Sequence, residues 1–309
     1  MVLTKYRTAL LAKKEVTYAT DPVPTGSVDA ILAGDLTVKP SSEVIDRKDM
    51  WTGSLSAKQP IMGRYYGELS FETELKGSGA AGTAPDFGVL IKACGFSETI
   101  VAATSVTYAP VSSAFDSVTL YAYRDGLLYK LTGARGNVSL NAQAGQRSML
   151  HFTFKGFFAD PSDAAIPSIT IDATQPVPCK SSTFVIGGYA ATIANVSFDM
   201  QNEISVSEDM NAASGYGACS ILGRNASGSF DPEATLVATN PWFTAYKNAT
   251  AQSMSFHVGA TAGNIVTVTM PKVVYRDISE GDRNGIYTYN LGFTAAQNAG
   301  DDEISIVVT

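Results

Sequence analysis

Residues Glu43–Arg64, EVIDRKDMWTGSLSAKQPIMGR, come back as Glu203–Arg224, EISVSEDMNAASGYGACSILGR, at an offset of 160. Glu43, Asp49, Met50, Ile61, Gly63 and Arg64 fall on Glu203, Asp209, Met210, Ile221, Gly223 and Arg224. A second echo sets Gly145-Gln146-Arg147 on Gly281-Asp282-Arg283 and Gly156-Phe157 on Gly292-Phe293 at an offset of 136, so the first copy has 24 residues more in its middle. Self-similarity at a fixed offset marks a repeated structural unit. The 309 residues are therefore read as two copies: 1–163 with an N-terminal arm, a linker over 164–180 that carries Pro167 and Pro176, and 181–309.

Around the repeat the patterning is that of strands. Tyr65, Gly67, Leu69, Phe71 and Thr73 alternate with Tyr66, Glu68, Ser70, Glu72 and Glu74, the period of two expected of a strand with one apolar and one acidic face. Asp49–Pro60, a long loop with Gly and Ser, carries Trp51 and Leu55, and Glu208–Cys219 takes its place in the second copy. Loops of that length without structure of their own are functional or disordered. Residues 1–27 read as an arm, because Pro22 and Pro24 lack the N–H that a sheet needs. Further strands are expected at Val28–Val38, Thr99–Tyr108, Ser117–Tyr123, Leu127–Leu131, Ala134–Ala142 and Arg147–Phe158, and at Ser168–Ile171 in the linker. In the second copy they are expected at Val185–Phe198, Ile204–Val206, Met254–Val258, Ile265–Met270, Val273–Arg276, Ile286–Phe293 and Glu303–Val308. Asp125-Gly126 and Asn284-Gly285 are hairpin turns, since such turns require positive φ. Each copy has one short helix: Pro85–Ala93, closed by Gly95, and a segment through Tyr246 that follows Asn240-Pro241.

Composition excludes several classes. A net charge of −7 is wrong for a surface that binds nucleic acid by displacing counterions, and the one basic cluster is Lys5, Arg7, Lys13 and Lys14. No apolar run approaches the ~18–20 residues of a membrane span, and Ala9–Ala12, pinched between Arg7 and Lys13, is no secretory signal. Cys94, Cys179 and Cys219 lack metal spacing and read as buried or free thiols. Asp86-Phe87-Gly88 stands without the other kinase motifs, and His151 and His257 have no second ligand nearby in sequence. The nucleophile elbow GxSxG is missing. A paired-carboxylate glycosidase is the hardest enzyme to dismiss, since the separation of two carboxylates is not written in sequence, but Glu68, Glu72 and Glu74 on one strand face read more simply as solvated or as lining an acidic surface. Neither an enzyme nor a cofactor is expected.

Several segments nevertheless carry a resemblance. Val185–Tyr189, Asn202-Glu203-Ile204, Ile221–Arg224, Gly228–Glu233, and Tyr275–Ser279 followed by Gly281-Asp282-Arg283 closely resemble the tail tube proteins of long-tailed bacteriophages and prophages. Thr17–Gly26, and Phe71–Leu75 leading into Gly77–Ala93, resemble the N-terminal half of the same group. The resemblance implies a mainly β fold, two tandem tail-tube-type β-sandwich or half-barrel domains each with one short helix. It implies a structural subunit of the virion tail, made in the bacterial host cytoplasm, whose strands join between neighbours around a lumen. Ring stacking would use the arm and the two loops, with Trp51, Leu55 and Tyr216, while Glu68, Glu72 and Glu74 would face the lumen. Because many such subunits carry a single tube domain, a duplicated chain is expected to close as a trimer with pseudo-sixfold symmetry. Its partners would be itself, the tape measure, terminator and baseplate proteins, and DNA in transit without specific binding, with no membrane. The alternatives are a tail terminator or baseplate hub ring, or a two-domain carbohydrate-binding adhesin.

Overall fold

The computed structural model describes residues 3–309. The first half holds β1 (Thr8–Lys14), β2 (Ala30–Ile31), β3 (Ala33–Ile45), β4 (Ile61–Glu74), α1 (Gly88–Ala93), β5 (Phe96–Val101), β6 (Ser105–Pro110), β7 (Val118–Arg124), β8 (Leu127–Gln143) and β9 (Met149–Asp163). The second holds β10 (Thr183–Ile186), β11 (Tyr189–Ala190), β12 (Ile193–Asp199), β13 (Glu203–Glu208), β14 (Tyr216–Gly223), β15 (Ser227–Pro232), α2 (Trp242–Lys247), β16 (Gln252–Val258), β17 (Val266–Arg283), β18 (Ile286–Ala295) and β19 (Ser305–Val308). The fold is mainly β, as expected, with antiparallel pairing throughout.

Strand order repeats. In the first half β1-β7-β8-β9-β4-β3 are neighbours in that order. The second half runs β10-β16-β17-β18-β15-β12, with the helix at the same point of each series. The long β3–β4 hairpin corresponds to two stacked pieces, β12–β15 and β13–β14, and the repeated sequence forms the outer part of both hairpins. Most of the longer middle of the first copy lies in residues 94–117, which hold the β5–β6 hairpin; the second copy passes from α2 to β16 in residues 248–251, 20 residues fewer. That extra hairpin adds its β6 to β19, the last strand of the chain, and so ties the two halves.

The halves also share one core. Phe71 stacks on Phe152 and Phe154 at centroid distances of 5.7 and 5.9 Å, and the same continuous cluster reaches Phe230, Trp242, Tyr275 and Phe293 of the second half. Alternation on β4, β8 and β9 puts every second residue into this cluster, and its rings account for a large share of the buried apolar area. A smaller cluster, Ala9, Leu11, Ala30, Tyr121, Tyr123 and Leu128, is covered by Ala164, Ile166 and Ile171 of the linker. The linker is held in place by buried Lys76, whose Nζ donates to the carbonyls of Asp172 at 2.8 Å and Thr174 at 2.9 Å. Lys76→Met is expected to cost about 2 kcal/mol, since two charge-assisted hydrogen bonds are lost while the aliphatic stem is kept. Thermal unfolding of the two proteins checks it.

Several local expectations are corrected. Residues 1–27 are not an arm throughout: Ala9–Ala12 are buried in β1, which pairs with β7 along its whole length. Thr99–Tyr108 is a hairpin and not one strand, because Ala103 adopts φ 55° without a glycine to announce the turn. Val185–Phe198 is three strands: Gly187 and Gly188, both at positive φ, turn β10 into β11, and Ala191-Thr192 separate β11 from β12. Conversely, Ile265–Met270 and Val273–Arg276 are one strand, with Pro271 placed at a register shift where no ladder N–H is required. Leu127–Leu131 and Ala134–Ala142 are likewise one strand, bent at Gly133, whose φ is 60°. Ser168–Ile171 forms no strand, since it lies over the linker's apolar floor rather than beside an edge. Helix α1 starts only at Gly88, because Pro85–Gly88 is a turn, Gly88 N donating to Pro85 O at 2.9 Å.

Candidate assembly surfaces

Eight strands, β3-β4-β9-β8-β12-β15-β18-β17, form one sheet that passes through both halves. Its registers generate rows of cross-strand partners. One row, Thr73-Leu150-Leu140-Phe198-Gly228-Phe293-Tyr275, faces the core. The next, Glu74-Met149-Asn141-Ser197-Ser229-Gly292-Asp277, faces away from it, as does Glu72-His151-Ser139-Asp199-Ser227-Thr294. Glu68, Glu72 and Glu74 therefore share a single polar wall rich in Ser, Thr and Asn. Lys155 lies directly across from Glu68, His151 Nδ1 is 3.9 Å from Glu72, and Arg147 pairs with Glu74 at 2.7 Å, so the wall is polar with its acidity partly offset.

The two hairpins built from the repeated sequence extend beyond the sheet. Trp51 is 92% exposed and Leu55 fully so, and Met50, Ile61 and Met62 leave further apolar surface uncovered around them. Within the described residues nothing covers this apolar surface. Tyr216 is placed differently, at the start of β14 and not in a loop. Its ring meets Tyr66 edge-on at 5.7 Å and lies under the Arg64 guanidinium at 5.4 Å. Arg64 also pairs with Glu43 and Glu208, and Tyr65 N donates to Ser214 O at 3.1 Å, which binds the two hairpins together. The second tip, residues 209–215, is shorter than the loop expected over Glu208–Cys219; it exposes Met210 and is closed by Asp209, whose carboxylate accepts from Asn211 N.

Both ends of the through-sheet are open. On one side of β8, β7 pairs with residues up to Ala134 and β12 then takes Ser139–Gln143. On the matching side of β17, β16 pairs as far as Val273, and among the described residues no strand follows it along Arg276–Arg283. At the far end β3, the counterpart of β12, pairs among the described residues only with β4. Unpaired edges of this length recruit further strands.

The profile of a phage tail tube protein family matches residues 6–308. The chain belongs to that family. It is a structural component of the virion tail and not an enzyme. Comparison with curated proteins gives no match.

Tail tube proteins assemble with themselves and with other tail proteins, so the joint that fixes one half of the subunit on the other decides the geometry of whatever it builds. That joint centres on Arg135 of β8, which donates to the carbonyls of Cys219 at 2.7 Å and Phe115 at 3.0 Å and lies over the rings of Tyr18 and Phe115. Tyr18 OH accepts from Cys219 N at 2.7 Å and donates to Gly133 O at 3.2 Å. Burial pushes the Tyr18 phenol up to about 12, so it keeps the proton that it donates. Buried Glu15 collects four donors, Ser117 and Thr119 hydroxyls at 2.6 Å, Gly133 N at 2.7 Å and Ala19 N at 2.8 Å. The sequence reading missed all three residues. Tyr18 stood within the quoted Thr17–Gly26 segment, but nothing local tells an arginine or glutamate that will be buried from one that is solvated.

The rest of the surface offers little chemistry. Burial raises the Cys94 thiol and pushes Cys219 up to about 11, which makes both poor nucleophiles. A cavity of about 390 Å³ beside Arg224 has its guanidinium already bound to Asp301, Glu303 and the Val111 carbonyl. Among the described residues no cluster of three His, Cys, Asp or Glu side chains has the geometry of a metal site, and no helix is long and apolar enough to cross a membrane.

Proposed function

We propose that three copies of this subunit close head to tail into a ring with pseudo-sixfold symmetry, and that such rings stack into the hollow tube through which DNA leaves the virion. The observation that carries this reading is the β8–β12 seam. Within one chain, the strand equivalent to β3 already adds to the strand equivalent to β17, while β3 and the Arg276–Arg283 edge of β17 stay unpaired at opposite ends of the same sheet. Edge pairing of β3 on the β17 of the next copy repeats the seam, and heterologous pairing of this kind closes when the rotation divides a full turn. Three chains then supply six quasi-equivalent units.

The polar wall that holds Glu68, Glu72 and Glu74 would line the lumen. Hydroxyl and amide side chains with balanced or negative charge give phosphates little to stick to. Trp51, Leu55 and the hairpin face around Tyr216 would meet the next ring. In this reading the tape measure occupies the lumen during assembly in the host cytoplasm, and the terminator and baseplate cap the ends.

Negative-stain class averages of the purified protein test the reading. Long tubes with three-fold protomer symmetry are expected; single rings alone would favour a terminator or hub, and six identical protomers would reject the trimer. Replacing Trp51 and Leu55 together by Ser is expected to leave the thermal unfolding of the subunit unchanged, because both side chains are solvent-exposed, and to lower the yield of stacked tubes at least tenfold while single rings persist. Tubes of ordinary length from this variant would remove the loop from the stacking contact.

A further inference from the structure

The duplication supplies a second template besides the seam. In the first half the turn between β8 and β9 is capped by the residues that lead into β10: Cys179 N donates to Gln146 O at 2.8 Å, Gly145 N donates to Cys179 O at 3.0 Å, and Pro178 bridges to Arg147. Val177 and Cys179 pack on the core there, and Cys179 Sγ lies 3.1 Å from Ser148 Oγ. The corresponding turn of the second half, between β17 and β18, has no such cap among the described residues. The correspondence follows the backbone and not the sequence echo at offset 136: Leu75 N donates to Ser148 O in the first half and Ala234 N to Tyr287 O in the second, so Tyr287, three residues beyond the position the echo gave, stands where Ser148 stood. Around this turn Ile286, Tyr287, Leu236, Val237 and Phe243 are exposed.

What should cap it follows from the same equivalence. Leu11 of β1 pairs with Tyr121 as Val185 of β10 pairs with Ser255, which makes β1 the counterpart of β10 and residues 3–6 the counterpart of 177–180. Those residues are Leu3-Thr4-Lys5-Tyr6, whose Leu3 is exposed and whose Tyr6 is 94% exposed. The segment is anchored at the β7–β8 turn of its own subunit, where Thr4 donates twice to the Asp125 carboxylate, at 2.7 Å from N and 2.9 Å from Oγ1, and Arg7 pairs with the same group, while the Leu3 and Tyr6 side chains stay exposed. Charge agrees as well: Lys5 would approach the end of β17 that carries Glu280 and Asp282.

We infer that Leu3–Tyr6 of one subunit caps the β17–β18 turn of the preceding subunit in the same ring, Leu3 and Tyr6 covering Ile286, Tyr287, Leu236 and Val237. The inference rests on the head-to-tail ring proposed above. It makes the N-terminal segment a clasp within a ring rather than a contact between stacked rings.

A Tyr6→Cys/Ile286→Cys double variant, assembled, imaged and then oxidised with copper phenanthroline, tests this on non-reducing gels. A ladder that ends at the trimer is expected, with no ladder from either single variant. Rings that are visible but yield no cross-link overturn the clasp and leave the ring reading standing. A ladder that runs past the trimer also overturns it, because the segment then reaches another ring. If the parent protein shows no rings at all, both readings fall. As a second measurement, Leu3→Asp/Tyr6→Asp should keep the unfolding temperature of the monomer and reduce ring yield at least tenfold; undiminished ring yield would overturn the clasp.

Discussion

Replacing Glu15 by Ala will destabilise the folded subunit by about 4 kcal/mol, the largest single effect expected outside the aromatic core, because it strands four buried donors at once. The donors belong to different parts of the fold: Ser117 and Thr119 on β7 and its approach, Gly133 at the bend of β8, and Ala19 in the segment that presents Tyr18. Gly133 has φ 60°, and its N–H needs an acceptor that no neighbouring strand supplies at the bend. Glu15→Gln keeps the shape and one acceptor oxygen but turns an amide N–H₂ toward the remaining donors, so it should recover less than half of the loss. Urea denaturation of the three proteins measures this. An Ala variant within about 1 kcal/mol of the parent would mean that water replaces the carboxylate, and the ordering of the 15–20 segment would need another cause.

Arg135→Ala is the second large effect, about 3 kcal/mol, made of two strong hydrogen bonds from a charged donor and the stacking on Tyr18 and Phe115. Arg135→Lys should do little better, since an ammonium cannot span both carbonyls and lie flat on the rings. The consequence goes beyond stability. Arg135 and Tyr18 both bind the backbone of Cys219 in β14, and so set the second half's outer hairpin against the first. Variants at Glu15 and Arg135 are therefore expected to couple through Tyr18 by more than about 0.5 kcal/mol in a double-mutant cycle. Additive losses would show that the two groups act on separate elements.

How much was legible in the sequence differs from element to element. Strands with one buried face, such as Leu69–Thr73 and Leu150–Phe154, could be read because alternation is imprinted by burial residue by residue. Asp125-Gly126 and Asn284-Gly285 could be read because few residues tolerate the positive φ of a tight turn. Ala103 turns with φ 55° and carries no such mark, so the β5–β6 hairpin passed for one strand. Tyr216 was grouped with the loop because the shared residues of the repeat align sequence, whereas the strand that holds it begins where β13 offers it an edge. The three glutamates of β4 were placed together correctly on one face, since their spacing of two and four residues dictates that in any strand; which charges oppose them across the sheet depends on β9, some eighty residues away.

By itself the sequence determined the chemistry of each segment: a β-rich chain, built twice, with a long loop in each copy, the first bearing Trp51 and Leu55, and a strand with one acidic face. These are local properties, written in periods of two and in residues that permit a given backbone angle; the two segments with apolar tips were legible only as long loops, and their closure into hairpins came with the pairing of β3 on β4 and β13 on β14. Only the tertiary structure decided that the halves share one sheet and one core, that Glu15 and Arg135 are buried at the joint, and that β3 and the end of β17 remain unpaired. Those outcomes depend on pairings between residues tens to hundreds of positions apart. An edge strand and a central strand present the same alternation to a reader of sequence, and only the closed fold shows which hydrogen-bonding edge has met its partner.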